Sequence, residues 1–419
     1  MCLAALVANT SDATRPVLAH AVFPTLEQAT AALGVDLARD HFEVTGKGIG
    51  IAIIDSGIAA WHDDLYLDRE QAWRANPRVV HFRDFTRPVD SSVLASDLPT
   101  DDYGHGTHVA GIIAGSGYDS DGRRAGVAPG AHLIGLKVLD ADGHGAVAQV
   151  IAAIDYAIAV RERFNIRIIN LSVATEAVAS FTADPLAQAA RRAVDAGIIV
   201  VTAAGNLGVD ADGTPRAGTI TSPGHAPWVI TVGAATHQGT YRRSDDSVAP
   251  FSSCGPTAVD GSAKPDLVSY GVGITSLAAP GTTLYEAYRD YLLDGTRDIG
   301  FRPYLTMSGT SMAAPLVSGT IALILEANPS LTPEAVKTVL QYTAEDRLED
   351  RFQEGAGLLN AHGALRLARF LAQPDGDAGP AGDTIDGGWV PWSRYLPDAT
   401  PLVPALVPAL DQGDMPAVN

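Results

Sequence analysis

The feature that most constrains this chain is a set of short, almost unbroken apolar runs. They are "GIGIAIID", "HLIGLKVL", "IRIINLSV", "GIIVVTAAG" and "WVITVGAA". A strand with one wet face alternates apolar and polar residues, and these runs do not, so both faces of their sheet must be covered. The covers lie between them: "GTHVAGIIAG", "AVAQVIAAIDYAIAVRERF" and "DPLAQAARRAVDAG" carry helical periodicity. Strands alternating with helices mean βαβ units. The expected fold class is therefore α/β, a three-layer structure with a mostly parallel central β-sheet flanked by helices on both faces. Strands are expected over 49–54, 132–139, 166–173, 197–205 and 228–235. The glycines of "GKGIG" precede a strand rather than opening a helix, and no Gly-Lys-Ser/Thr follows, so a nucleotide-binding loop is excluded.

Three further helices follow in "PLVSGTIALILEANP", "TPEAVKTVLQYTA" and "GLLNAHGALRLARFLA", so one α/β domain is expected over 25–372. It opens with a short helix in "TLEQATAALGVD", where Thr25 and Gln28 form a capping box and Gly34 ends it. Residues 1–24 form a lead segment without periodicity. Residues 373–419 hold eight of the 26 prolines and are expected to be a disordered tail. The net charge of −19 argues against nucleic acid, which needs basic patches. Two cysteines, Cys2 and Cys254, give neither a disulfide framework nor a cysteine metal site. No run approaches the roughly 20 apolar residues of a membrane helix, so no membrane partner is expected. The opening "MCLAALVANTSDA" lacks the basic region of a signal peptide.

Three short stretches carry chemistry. In "IAIIDSGI", Asp55 ends a buried strand, at the sheet edge where ligands gather in open α/β proteins; from this stretch alone a turn residue is the plainer reading. In "DDYGHGTHVAGIIAG", His105 and His108 stand at i and i+3. No third ligand is near, and an imidazole that titrates near neutrality suits proton transfer. In "SGTSMAAP", Ser311 stands at the start of a helix, whose free N–H groups favour a developing negative charge. An N-cap is the plainer reading of Ser308, Thr310 or Ser311. Pro315 removes a backbone donor and leaves a carbonyl near Ser311 unpaired by the helix. Gly-Thr-Ser-Met-Ala is not the Gly-x-Ser-x-Gly elbow of α/β-hydrolases.

Asp, His and Ser fall in that order, at 55, 105 and 311. With "IIDSGI", "HGTHVAG", "AAGN" and "SGTSMAAP" in sequence between residues 53 and 315, the chain resembles the subtilisin-like serine peptidases (subtilases). The resemblance implies a subtilisin-like fold and a serine endopeptidase that works through an acyl-enzyme, with Ser311 as nucleophile, His105 as base and Asp55 as its partner. It makes Asn206 the oxyanion-hole amide, paired with the Ser311 backbone N–H, and leaves His108 to packing. It puts substrate against Ser172, Val173 and Ala174 on one side and Gly143 and Gly145 on the other. The family's usual Leu-Gly-Gly is Val-Ala-Thr here, which would reshape the specificity pocket. It makes Asp64 a calcium position, although no cofactor is needed for the chemistry. Protein or peptide substrates, a monomer and secretion are implied; a cytoplasmic enzyme is the alternative. The 54 residues before Asp55 are too few for the usual pro-domain plus the mature start. The stretch 282–304 reads as an insertion, more a surface loop than a wall of the cleft.

Overall fold

The computed structural model describes residues 25–66, 77–87, 97–240, 243–345 and 350–372, with a short hairpin of Thr384–Ile385 and Gly388–Trp389. The lead segment expected over 1–24, and the tail expected over 373–419 apart from that hairpin, lie outside the described residues.

The helices and strands in chain order are α1 (Leu26–Ala32), α2 (Val35–Phe42), β1 (Gly50–Asp55), β2 (Val79–Asp84), α3 (His105–Ala114), β3 (His132–Lys137), α4 (Val147–Val160), β4 (Ile166–Leu171), α5 (Pro185–Asp195), β5 (Ile199–Ala203), β6 (Ile230–Thr236), β7 (Ser247–Val248), β8 (Leu267–Tyr270), β9 (Ile274–Leu277), α6 (Thr283–Ala287), β10 (Tyr304–Met307), α7 (Thr310–Ala327), α8 (Pro333–Thr343), α9 (Arg351–Glu354) and α10 (Ala361–Ala372). The order across the main sheet is β2-β3-β1-β4-β5-β6, and β8 continues it beside β6. All these pairings are parallel; only β7 runs antiparallel, against β6. The expected capping box of Thr25 and Gln28 is present at α1.

Both sheet faces are covered, as the unbroken apolar runs require. On β1, Ile51 and Ile53 enter one core cluster while Ala52 and Ile54 enter the other. The second cluster is closed by α4 and α5 through Ala153, Ile154, Ala189 and Ala193. The first is closed by α3, α7, α8 and α10, and α7 lies inside it. By length and composition α7 could cross a bilayer, but it is a core helix: Leu316, Ile321, Leu323, Ile324 and Leu325 are all fully buried. Each such side chain contributes about 1.5–3 kcal/mol on burial. That anchoring fixes where the N-terminus of α7 points.

Most of the segment 282–304 is exposed, as expected of a surface loop, but its start is anchored to the body of the protein. The Thr283 and Leu284 N–H groups donate to the Asp102 and Tyr103 carbonyls, and the Thr283 hydroxyl donates to the Ala141 carbonyl at 2.7 Å. Leu284 and Tyr285 are buried. The insertion is thus docked on the loops before α3 and after β3 because its apolar side chains and its helix start both find partners there.

Candidate active site

Parallel strands deliver their carboxyl ends to one edge of the sheet. β1 ends on Asp55, β4 ends one residue before Ser172, and β5 ends three residues before Asn206. The helices α3 and α7 pack on each other and begin at His105 and Thr310.

His105 is the first residue of α3, after Gly104 at φ +103°. Its Nδ1 lies 2.8 Å from Asp55 Oδ1, and both side chains are fully buried. The carboxylate only accepts, so Nδ1 carries the proton and Nε2 is left as the basic nitrogen. Nε2 has no hydrogen-bond partner among the described residues. Burial, the largest influence, works against the charged imidazole. The charge and hydrogen bond of Asp55, with a contribution from Asp101, outweigh it and hold the His105 pKa above its ordinary value. Gly106 permits this approach: a Cβ there would sit 2.1 Å from the Gly57 carbonyl oxygen and 3.1 Å from Asp55 Cβ.

Asp101, which the sequence reading passed over, holds the start of α3. Its carboxylate accepts from the N–H groups of Tyr103, Gly104 and Thr107, from the Thr107 hydroxyl and from the Ser56 hydroxyl. Thr107 then accepts from the Ala59 N–H, and Ser56 Oγ accepts from the Gly106 N–H. One carboxylate ties the turn after β1 to the helix that carries the histidine. An aspartate just before a glycine-led helix start is the signal that could have found it.

At α7, the Thr310 N–H and hydroxyl both donate to Asn206 Oδ1, at 2.9 and 3.0 Å. A backbone N–H can only donate, so this settles the amide's orientation and turns Nδ2 away as a free donor. Thr310, expected as a capping residue, instead orients Asn206. An ideal Cβ on Gly309 would lie 3.4 Å from Asn206 Nδ2 and 3.7 Å from the Ser311 nitrogen. Both nitrogens thus border the space that a side chain at Gly309 would occupy. The Ser311 hydroxyl points to the Ser172 carbonyl at 3.3 Å. The structure thus brings Asp55 to His105 and Asn206 to the start of α7, while Ser311 is hydrogen-bonded to Ser172 and not to His105.

His108 is buried, with Nε2 3.1 Å from the Leu305 carbonyl, and desolvation pushes its pKa down to about 3. It is a neutral packing histidine, as expected. Ser172, Val173 and Ala174 leave the end of β4, and Val173 packs into the second core cluster. Gly143, at φ +75°, lies against the Tyr103 ring, and Gly145 lies against the Val138 carbonyl. Asp64 lies in a separate buried group with His62 and Asp119. Its Oδ1 accepts from the Asp119 N–H and its Oδ2 from the Tyr304 hydroxyl, both at 2.8 Å. Desolvation raises its pKa to about 6.

Comparisons with known proteins point to one family. The model of the subtilase family matches residues 46–363. Serine protease AprX of Bacillus subtilis (strain 168) is 39% identical over 370 residues, 87% of this chain and 76% of that protein. Subtilisin DY of Bacillus licheniformis is 32% identical over 321 residues, 77% of this chain and 92% of that protein. A crystal structure of a cold adapted subtilisin-like serine proteinase superposes with a TM-score of 0.53 at 29% identity, covering 76% of this chain and 90% of that one.

Proposed function

From the premise that this chain belongs to the subtilase family and is a subtilisin-like serine protease, we propose that Ser311, His105 and Asp55 are its catalytic triad. The observations that carry the reading are the two nitrogens, Asn206 Nδ2 and Ser311 N, close to the space beside Gly309 at the head of α7, and the buried Asp55–His105 pair at the head of α3, the helix packed on α7. The Ser311 hydroxyl turns from the Ser172 carbonyl to His105 Nε2, which takes its proton as the oxygen attacks the peptide carbonyl. The two donors stabilise the tetrahedral oxyanion. His105 then protonates the leaving amine, and water hydrolyses the acyl-enzyme by the same steps. Asp55 keeps the proton on Nδ1 and stabilises the imidazolium.

Substrate lies extended between 172–174 and the loop bearing Gly143 and Gly145. With the Val173 side chain in the core, this segment meets protein and peptide substrates through backbone groups rather than through that side chain. Domain limits of 25–372, monomeric action and an extracellular site of action, with the cytoplasm as alternative, complete the reading. Subtilases need no cofactor for catalysis, and every catalytic group here is the chain's own. Asp64 could ligate calcium together with Asp119: each Asp64 oxygen accepts from one protein donor and keeps a lone pair, but two carboxylates fall short of the six or more oxygens that cation takes, so backbone carbonyls or water would have to complete the set. Asp64 also pins the 117–120 turn.

The test compares casein cleavage by the full chain and by Ser311→Ala. The reading expects cleavage only from the unaltered serine; equal cleavage by both would sink it.

A further inference from the structure

Pro315 stands four residues after Ser311, where an α-helix would donate an N–H to the Ser311 carbonyl, and proline has none. The Ser172 hydroxyl fills that role, donating to the Ser311 carbonyl at 3.3 Å. A carbonyl can only accept, so the Ser172 proton is committed to it. Ser172 Oγ must then accept from Asn170 through Nδ2, at 3.0 Å. That turns Asn170 Oδ1 to Ser318, whose hydroxyl donates to it at 2.8 Å. Ser318 is on α7 itself, two turns after Ser311 and on the same face. Asn170, Ser172, Ser311 and Ser318 are all at most 4% exposed. The free carbonyl left by Pro315 thus sets the direction of every proton in a closed circuit from α7, across the end of β4, and back to α7.

Resting on the catalytic reading above, we propose that Asn170 and Ser318 are positioning residues for the nucleophile. They clamp α7 at two points against the strand that receives substrate, so that the Ser311 oxygen and the bound peptide carbonyl keep one fixed separation. The two Ser172–Ser311 bonds are long for hydroxyl hydrogen bonds, so the Ser311 hydroxyl can leave Ser172 for His105 while the circuit through Asn170 and Ser318 holds the backbone. Pro315 belongs to the device because it keeps the Ser311 carbonyl available.

The experiment measures kcat and KM on a chromogenic peptide, and the urea midpoint, for Asn170→Ala, Ser318→Ala, the double variant and Pro315→Ala. Thr320→Val is the control, because among the described residues its hydroxyl bonds only the Leu316 carbonyl of its own helix. Asn170→Ala is expected to lose roughly ten- to hundredfold in kcat, as small misplacements of reacting atoms do, with KM changed less than about threefold. Ser318→Ala loses in the same direction, and the double variant loses no more than Asn170→Ala, as expected of one circuit. Pro315→Ala restores a helix donor and lowers kcat without lowering the urea midpoint, which a purely structural role would not produce. Thr320→Val keeps wild-type kcat. If Asn170→Ala does not fold, Ser318→Ala and Pro315→Ala decide. The proposal is overturned by unchanged kcat in these variants, by additive losses, or by a slow Pro315→Ala whose loss tracks its destabilisation. Fluorophosphonate labelling of wild type but not Ser311→Ala separates the two failures: with that labelling intact, unchanged kcat in Asn170→Ala removes only the positioning role, and without it the catalytic reading falls as well.

Discussion

Gly309→Ala probes the oxyanion site with a single methyl. The new Cβ would lie 3.4 Å from Asn206 Nδ2 and 3.7 Å from the Ser311 nitrogen, distances of ordinary van der Waals contact. Gly309 has φ 160°, an extended conformation open to alanine. The fold should therefore accept the change, with a urea midpoint shift worth less than about 1 kcal/mol, as for substitutions that neither strain nor empty the core. Chemistry should not accept it. An oxyanion needs to sit about 2.7–3.1 Å from its donors, in the space where the methyl now stands. Losing one such donor costs about 10²–10³ in turnover, or roughly 2.7–4 kcal/mol, a magnitude established on subtilisin itself, a member of this family. Steady-state kinetics on a peptide anilide, with active sites counted by titration, reads the effect as a fall in kcat. A Gly309→Ala enzyme that is folded and within threefold of wild-type kcat would refute the placement of the oxyanion.

The pH dependence of kcat/KM follows from His105. The base must be neutral, and its pKa is raised, so activity should fall with decreasing pH through a midpoint above the ordinary value of about 6.5. Asp55→Asn removes the raising charge and leaves burial, which lowers the pKa, so the midpoint should move down while the rate drops by about 10⁴; a pH titration of the residual activity checks the sign. Asp101→Ala strands five donors around the start of α3 and should cost about 3–5 kcal/mol in urea denaturation. It should also slow catalysis by more than its unfolded fraction explains, because His105 is the first residue of that helix.

The layered fold was legible because parallel strands buried on both faces leave unbroken apolar runs, as in β1, β3, β4 and β5. β2 was not legible: "VVHFRD" places His81, Arg83 and Asp84 in buried positions, so its polarity masks a strand. The predicted strands also ran too far. Residues 138–139, 172–173 and 204–205 look apolar or small enough for sheet, yet the chain leaves the sheet there to build the site. The residues proposed here for catalysis, Asp55, His105, Asn206 and Ser311, each stand in a local motif. Asp101, Thr310, Asn170 and Ser318 were not legible, because each acts through a partner far away in sequence: Ser56 for Asp101, 45 residues off, Asn206 for Thr310, 104 off, and Asn170 and Ser318 for each other, 148 apart. Hydrogen bonds between distant buried groups leave no local periodicity to read. The anchoring of the start of 282–304 left no local signal for the same reason: its partners Asp102 and Ala141 lie far upstream.

The central claim is that Ser311 attacks a carbonyl whose oxygen enters the space between Asn206 Nδ2 and the Ser311 N–H. A crystal structure of the full chain inactivated with a peptidyl phosphonate tests it most directly. The account predicts phosphorus bonded to Ser311 Oγ, one phosphoryl oxygen about 2.7–3.1 Å from both donors, and His105 Nε2 turned to the adduct. An adduct on another residue, or a phosphoryl oxygen pointing away from Asn206, would contradict it.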